Sequence, residues 1–259
     1  MDLSELVKKV KSKKELAGVP ANIVSKEAEL YLRKERLSLS SINEKDSKII
    51  VSAIRSSLRR MTGQFALIGK GEEPEHKSSR ERKKLYPLLK NILHELKVKS
   101  ILDLGCGLNP IHLSSKDIFY YAYDINESDL AIVKNHLSKN KFIGETKNYD
   151  LRDSEEPLPQ TDLCLILKVF DIIETKGHKI AERVLNKVNS NYILISFPTK
   201  TLSGRAMNHP QRGWIERLLF RLKFNYIAFK GENEVFYLAS RQESRQLLLS
   251  LQSIQEMQL

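Results

Sequence analysis

The sequence is poor in cysteine, tryptophan and long apolar runs, and each shortage excludes a class of protein. Its 259 residues include two cysteines, Cys106 and Cys164, and one tryptophan, Trp214. Two cysteines cannot form the disulfide framework of a small secreted domain, and the six histidines show no metal-ligand spacing, so we expect no metal site. The longest apolar stretches are far shorter than the roughly 20 residues that span a bilayer, and residues 1–14 lack the apolar core of a signal peptide. We therefore expect a soluble cytoplasmic protein without membrane contact. We also expect it to be a monomer.

Positive charge is abundant and unevenly placed. The net charge is +11, and residues 1–95 hold 21 Lys and Arg against 13 Asp and Glu, or +8, whereas the other 164 residues carry +3. A basic first third suits a polyanionic partner such as RNA, because phosphate neutralisation releases counterions. A solvated lysine-rich surface explains the charge equally well.

The hydrophobic pattern changes near residue 100. Before it, residues 2–37 and 47–65 have helical periodicity, and the second stretch is a basic amphipathic helix with Ile49, Ile50, Ala53, Ile54 and Leu58 on its apolar face. After it, short apolar runs alternate with helical patterns: ILDL, FYYAYDI, FIGETKNYDL, LCLILK, YILISF, NYIAFK and VFYLAS. This order predicts an α/β fold, with a helical domain at residues 1–95 and a mostly parallel, helix-covered sheet at residues 96–259.

The first predicted strand ends in a glycine loop, ILDLGCGLNP. Gly105 and Gly107 let backbone N–H groups approach a ligand at the start of the next helix. A dinucleotide site would need a third glycine at position 110 to place a pyrophosphate, and Pro110 argues against that ligand.

Acidic residues end the next two predicted strands. Asp124 follows FYYAY, where a carboxylate can accept both hydroxyls of a ribose, and Asp150 ends the third strand beside the same crevice, where it could bind an adenine amino group. The combination predicts a ligand with adenosine and no phosphates, such as S-adenosylmethionine. The alternative is that both acids only cap turns.

Several segments together carry a family resemblance. HKSSRERKKLY, ILDLGCGLNPI, YAYDIN, LILKVFDIIE and ISFPTKTLSGR resemble, in order and spacing, segments of the aminoglycoside-resistance 16S ribosomal RNA methyltransferases, which modify guanine N7 in the decoding site. The similarity runs from about Lys11 to about Leu238. It implies a helical RNA-binding domain followed by a Rossmann-like methyltransferase domain, with S-adenosylmethionine as cofactor, the small ribosomal subunit as partner and aminoglycoside resistance as a consequence.

The resemblance also implies roles for single residues. Arg82 would bind the carboxylate of the methionine moiety, and Gly105 and Gly107 would face that moiety. Asp124 would bind the ribose, and Asp150 with Leu151 the adenine. Leu167 and Lys168, at the end of the fourth strand, would close the crevice toward the target base. An arginine suits a free carboxylate, which this cofactor has and a dinucleotide lacks.

The chemistry needs no dedicated acid or base. Guanine N7 has an in-plane lone pair and no proton, so positioning should do most of the work. The chain lacks an Asn/Asp-Pro-Pro-aromatic segment after the fourth strand, which amino-group methyltransferases carry, and Cys164 and Trp214 are interpreted as core residues. RNA contacts are predicted at these positions: Arg55, Arg59, Arg60, Lys70, Lys200 and Arg205.

Two other classes of function stay open. The chain could be a non-catalytic ribosome-assembly factor that has kept a methyltransferase fold, although the set of candidate cofactor residues argues against this. It could be a small-molecule methyltransferase, which would not need a basic helical domain. Within the favoured class, another ribosomal nucleotide, or adenine N1, is also open.

Overall fold

A computed structural model of the chain describes residues 2–62, 85–174, 177–200 and 211–241. The helices within these ranges are α1 (Leu3–Lys11), α2 (Ala21–Glu35), α3 (Glu44–Met61), α4 (Tyr86–Glu95), α5 (Pro110–Leu113), α6 (Glu127–Asn140), α7 (Phe170–Ile173), α8 (Lys179–Lys187) and α9 (Gly213–Arg221). The strands are β1 (Ser100–Leu104), β2 (Phe119–Asp124), β3 (Gly144–Asn148), β4 (Thr161–Leu167), β5 (Ser190–Pro198), β6 (Asn225–Lys230) and β7 (Glu234–Ser240). Short 3₁₀ helices cover Lys14–Leu16 and Leu39–Ser41.

The strands form one seven-stranded sheet in the order β3-β2-β1-β4-β5-β7-β6. β1 to β5 are parallel, and β7 runs antiparallel between β5 and β6. Each of the seven apolar runs in the sequence overlaps one of these strands, so the predicted α/β fold with a mostly parallel sheet is confirmed. The order changes direction between β1 and β4, so the carboxyl ends of these strands border the crevice where open α/β sheets bind ligands.

Both faces of the strands β1, β4, β5 and β7 are buried, which explains why these strands are largely continuous apolar runs. The edge strand β3, with the sequence GETKN, is mostly exposed. Alternate residues of β1 and β4 point to opposite faces. Ile101 and Leu163 join one core cluster, whereas Leu102 and Cys164 join the other. Helix α4 packs on the first face through Leu89 and neighbouring apolar residues.

Helices α1, α2 and α3 enclose a third core of their own. Pro20 is the N-cap residue of α2, and the side chain of Asn43 caps α3 by accepting a 2.9 Å hydrogen bond from the Asp46 N–H. The predicted apolar face of α3 was wrong at Ile49, whose side chain is 57% exposed, because the helix is rotated so that Val51 and Ser47 are buried instead.

The division of the chain at residue 95 stays a prediction. Helix α4 lies on the N-terminal side of that division, yet its buried residues belong to the sheet's core. Residues 242–259, whose apolar spacing predicts a helix, lie outside the described residues. No described helix combines the length and hydropathy that crossing a membrane requires.

Candidate active site

The glycine loop turns over the end of β2. The N–H groups of Gly105 and Cys106 donate to the carbonyl of Tyr123, at 2.8 and 3.1 Å. Gly105 has φ +74° and Gly107 has φ +48°, so both take the left-handed conformation that favours glycine. A Cβ on Gly105 would lie 2.6 Å from Cγ2 of Val169, whereas a Cβ on Gly107 would have no heavy atom within 4 Å. Gly105 is therefore required by packing, and Gly107 borders open space.

Asp124 is joined to this loop. Its side chain is largely buried, Oδ2 accepts a 2.9 Å hydrogen bond from the Gly107 N–H, and Oδ1 accepts one of 2.9 Å from the Asn126 N–H. The glycine loop and this carboxylate are thus in direct contact. The role of Asp124 toward a ribose stays a prediction.

A buried polar network beneath the loop was missed by the sequence reasoning. Asp103 Oδ2 accepts from the hydroxyl of Tyr120 at 2.7 Å and from Nδ2 of Asn109 at 3.2 Å, and the Tyr86 hydroxyl donates to Oδ1 of Asn109 at 3.2 Å. Burial and the charge of Asp103 raise the pKa of Tyr120 well above its ordinary value, so the phenol stays a donor. The signal was present as an acid inside the apolar run ILDL, because a buried carboxylate needs hydrogen-bond donors.

Asp150 lies in a loop that continues β3. Asp150 Oδ1 accepts from the backbone N–H and Nε of Arg152 at 2.9 and 3.0 Å, and Oδ2 accepts from Nη2 of Arg152 at 2.9 Å and from Nζ of Lys26 at 3.2 Å. The neighbouring Leu151 is buried, and its carbonyl accepts from Nη2 of Arg183 at 3.2 Å. Both carboxylate oxygens of Asp150 therefore have protein partners, and contact of Asp150 and Leu151 with adenine stays a prediction.

The end of β4 carries a buried ion pair. Leu167 is buried, and Lys168 has φ +60° and donates its N–H to the carbonyl of Ser196 at 3.0 Å. Nζ of Lys168 lies 3.0 Å from Oε1 of Glu234, whose side chain is fully buried, and the hydroxyl of Ser196 donates to Oε2 of Glu234 at 2.6 Å. The sequence did not single out Glu234, because its partner lies on another strand.

Aromatic side chains cluster near the carboxyl end of β5. Trp214 stacks on His178 with ring centroids 4.0 Å apart and meets Phe170 and Phe197 edge to face. Trp214 packs against the core, as expected.

Cys106 and Cys164 are also buried, and burial raises the pKa of both thiols well above the ordinary value, so neither is a ready thiolate nucleophile.

The predicted RNA-binding residues differ in their surroundings. Arg55 donates through Nε to the carbonyl of Val10 at 3.1 Å, and Arg59 forms a 2.6 Å ion pair with Glu15. Arg60 and Lys200 have exposed side chains. Three predicted site residues, Lys70, Arg82 and Arg205, lie outside the described residues.

Comparison with known proteins decides the family. The model of the family described as "Ribosomal RNA methyltransferase (FmrO)" matches residues 71–221, which is more than half of the chain. The chain belongs to this family. The FmrO match includes the glycine loop, Asp124, Asp150 and the end of β4.

Curated relatives agree with the FmrO assignment. A 16S rRNA (guanine(1405)-N(7))-methyltransferase of Micromonospora echinospora is 30% identical over 163 residues, 60% of this chain and 54% of the relative. One of Serratia marcescens is 29% identical over 147 residues, 54% of this chain and 57% of that protein. The matched part of the chain spans about half the length of the curated relatives.

The similarity in fold extends over almost the whole chain. The 16S rRNA methylase RmtB has a TM-score of 0.71 at 19% identity, with 93% of this chain and 99% of that chain covered. The 16S rRNA methyltransferase RmtF, solved with S-adenosyl-L-homocysteine, also has a TM-score of 0.71, at 21% identity, with 93% and 100% covered. At this identity the likeness shows the fold, including the helices that precede the sheet.

Proposed function

We propose that the chain transfers a methyl group from S-adenosylmethionine to N7 of a guanine in 16S ribosomal RNA of the small ribosomal subunit. The match to the FmrO family over the candidate crevice is the observation that carries this proposal. The curated relatives are named for guanine 1405, which makes that nucleotide the first candidate target. Such a substrate would place the enzyme in the cytoplasm and link it to aminoglycoside resistance.

The crevice suits an adenosyl cofactor without phosphates. Open space beside Gly107 allows close approach of a ligand, and the buried carboxylate of Asp124 lies at the end of the neighbouring strand, where a ribose diol would be held. Arg82 would bind the methionine carboxylate, Asp150 and Leu151 would lie toward the adenine, and Leu167 and Lys168 toward the target base. The cofactor would supply an activated methyl group on a sulfonium.

The described residues support a positioning mechanism. Guanine N7 gives up no proton, so the enzyme has to align the base and exclude water rather than remove a proton. Lys168 is held by Glu234, and both cysteines are buried with raised pKa values, so these groups are poor candidates for a base or a nucleophile. We therefore place no dedicated catalytic acid or base in the site.

Gly107 provides a test of the crevice. We expect Gly107→Ala to weaken S-adenosylhomocysteine binding about tenfold, because its Cβ enters the open space and the left-handed backbone costs a non-glycine residue about 1 kcal/mol. Isothermal titration calorimetry measures the affinity. Gly177→Ala is the matched control, since Gly177 also has a positive φ and open space around its Cβ. An equal loss of affinity in both variants would show that backbone strain alone is responsible.

The RNA-docking assignment gives a second prediction. Arg60 and Lys200 are exposed. Reversing both charges (Arg60→Glu with Lys200→Glu) should weaken binding to small subunits and flatten its salt dependence, since each lost phosphate contact reduces the steepness of log affinity against log salt by about 0.7 to 0.9. Arg55, Arg59, Lys70 and Arg205 would add to the same surface. Filter binding at several salt concentrations measures the slope. Reversal of the exposed Lys45 is the control, and an unchanged slope in the double variant would remove Arg60 and Lys200 from the docking surface.

Methyl transfer from labelled S-adenosylmethionine to purified small subunits tests the function itself. We expect label in 16S ribosomal RNA after the ribosomal proteins have been extracted. Cofactor binding without transfer to any RNA would favour a small-molecule methyltransferase. Absence of cofactor binding would favour a non-catalytic assembly factor.

A further inference from the structure

Four charged side chains join helix α2 to the loop that carries Asp150. We call them the bridging network: Lys26 and Glu27 on α2, and Asp150 and Arg152 after β3. The partners lie far apart in sequence, 124 residues for Lys26 and Asp150 and 125 residues for Glu27 and Arg152. The network therefore connects the N-terminal helices with the sheet.

Arg152 is the central member of the bridging network. Its guanidinium binds Asp150 through Nε and Nη2, and its Nη1 donates to Oε2 of Glu27 at 2.9 Å. Glu27 in turn accepts a 2.5 Å hydrogen bond from the hydroxyl of Ser57 on α3. Lys26 pairs with Asp150 at 3.2 Å and also with Asp153. Arg152 thus fixes the loop directly to α2, and through Glu27 to α3.

Three of the four members of the bridging network are well shielded from water, and Lys26 is 28% exposed. The side chains of Arg152, Asp150 and Glu27 are 10%, 11% and 14% exposed. Burial opposes ionisation of Asp150, but the hydrogen bonds and charge of Arg152, with Lys26, outweigh it and hold the pKa of that carboxyl below its ordinary value. Burial likewise opposes the charge on Arg152, and Asp150 and Glu27 outweigh it, so the pKa of Arg152 is raised. Removing one member of such a buried ion pair is costly, because the remaining charge stays buried and uncompensated.

The loop that begins at Asp124, the second candidate ligand residue, also contacts the segment formed by helices α1 to α3. The N–H of Glu127, three residues after Asp124, donates to the carbonyl of Gly18 at 3.0 Å, and Ile125 packs against the core of α1 to α3. A Cβ on Gly18 would lie 1.8 Å from Oγ of Ser128, so the two backbones meet closely. Both loops that carry the candidate adenosine ligands are therefore supported from the N-terminal side.

We infer that Glu27 and Arg152 are positioning residues for the cofactor, so that the N-terminal helices are part of what shapes the adenosine end of the crevice. This inference rests on the proposed function. Glu27 touches no candidate ligand position and acts through Arg152 on the Asp150 loop. Because binding linkage is reciprocal, docking of RNA on the helices and binding of the cofactor would influence each other.

Substitution of Glu27 tests the inference in the full-length protein. We expect Glu27→Gln to weaken S-adenosylhomocysteine binding on the order of tenfold. In methyl transfer to small subunits, KM for S-adenosylmethionine should rise by the same factor, with kcat at saturating cofactor unchanged. Glu29→Gln removes the same charge from an exposed position on the same helix and should leave both quantities unchanged.

Arg152→Lys is the second variant, since it keeps the charge but loses the planar guanidinium, which binds two carboxylates at once. It should weaken cofactor binding at least as much as Glu27→Gln, and the double variant should be no weaker than Arg152→Lys alone, because the two residues act as one unit. Folding of each variant is checked by circular dichroism.

Unchanged cofactor affinity in folded Glu27→Gln and Arg152→Lys would overturn the inference, as would an equal loss in Glu29→Gln. Wild-type protein that binds no S-adenosylhomocysteine would instead overturn the proposed function. The two failures are distinguished by the wild-type titration alone.

Discussion

Replacing Asp124 by asparagine is expected to weaken S-adenosylhomocysteine binding about 100-fold, since two charge-assisted hydrogen bonds to a ribose diol contribute about 1.5 kcal/mol or more each. Asparagine keeps the size of the side chain but removes its charge and half of its acceptor capacity. Part of the loss would come from the glycine loop, because Asp124 also accepts from the N–H of Gly107. Titration calorimetry measures the effect.

The matched control is Asp117→Asn, which removes a charge from an exposed position before β2. It should bind the cofactor as the wild-type protein does. The 2′-deoxy analogue of S-adenosylhomocysteine has no ribose diol. The Asp124→Asn substitution should therefore weaken binding of this analogue by a smaller factor than it weakens binding of S-adenosylhomocysteine. Equal losses would show that Asp124 supports the loop and does not bind the sugar.

Replacing Glu234 by glutamine is expected to lower the free energy of unfolding by about 3 kcal/mol, because it removes the buried carboxylate charge that pairs with the ammonium of Lys168. For a chain of this size we expect a fall in Tm of roughly 6–12 °C. Differential scanning calorimetry measures the change. The hydrogen bond from Ser196 to Oε2 of Glu234 can be kept by glutamine, so the loss comes mainly from the ion pair.

Glu232→Gln is the control, since Glu232 lies exposed on the same turn. A double variant, Glu234→Gln with Lys168→Met, should recover much of the lost stability, because a buried ion pair can often be replaced by apolar groups at little cost. A variant with Glu234→Gln alone that melts like the wild-type protein would show that water reaches Lys168.

The central strands of the sheet could be predicted from sequence because burial on both faces makes them nearly continuous apolar runs. Runs such as LCLILK and YILISF coincide with β4 and β5. The glycine loop and Asp124 could be predicted to meet, since the carboxyl ends of adjacent parallel strands share one edge and β1 pairs directly with β2.

Residue pairs across the fold could not be predicted in this way. Lys168 and Glu234 meet only because β5 and β7 pair in a particular antiparallel register, with Pro198 opposite Glu234. Arg152 and Glu27 meet because α2 docks on the loop after β3, a contact between distant segments that periodicity does not encode. For the same reason Ile49 was assigned to the wrong face of α3, whose rotation depends on how α1 and α2 pack.

Tertiary contacts also determine which basic residues of helices α1 to α3 can contact RNA phosphates. The sequence offers Arg55, Arg59 and Arg60 on one helix, but the guanidinium of Arg59 hydrogen-bonds Glu15 and lowers the pKa of that carboxyl, and Arg55 donates to the end of α1. Intramolecular partners compete with phosphate. Arg60 is therefore the member of this set that we expect to contribute most to docking.

Mapping of the methyl group on 16S ribosomal RNA tests the central claim most directly. Small subunits are incubated with the protein and S-adenosylmethionine, and the RNA is digested and sequenced by mass spectrometry. We expect one 7-methylguanosine, at guanine 1405, the nucleotide for which the curated relatives are named. A methyl group on adenine, on a guanine atom other than N7, or on no nucleotide at all would contradict it.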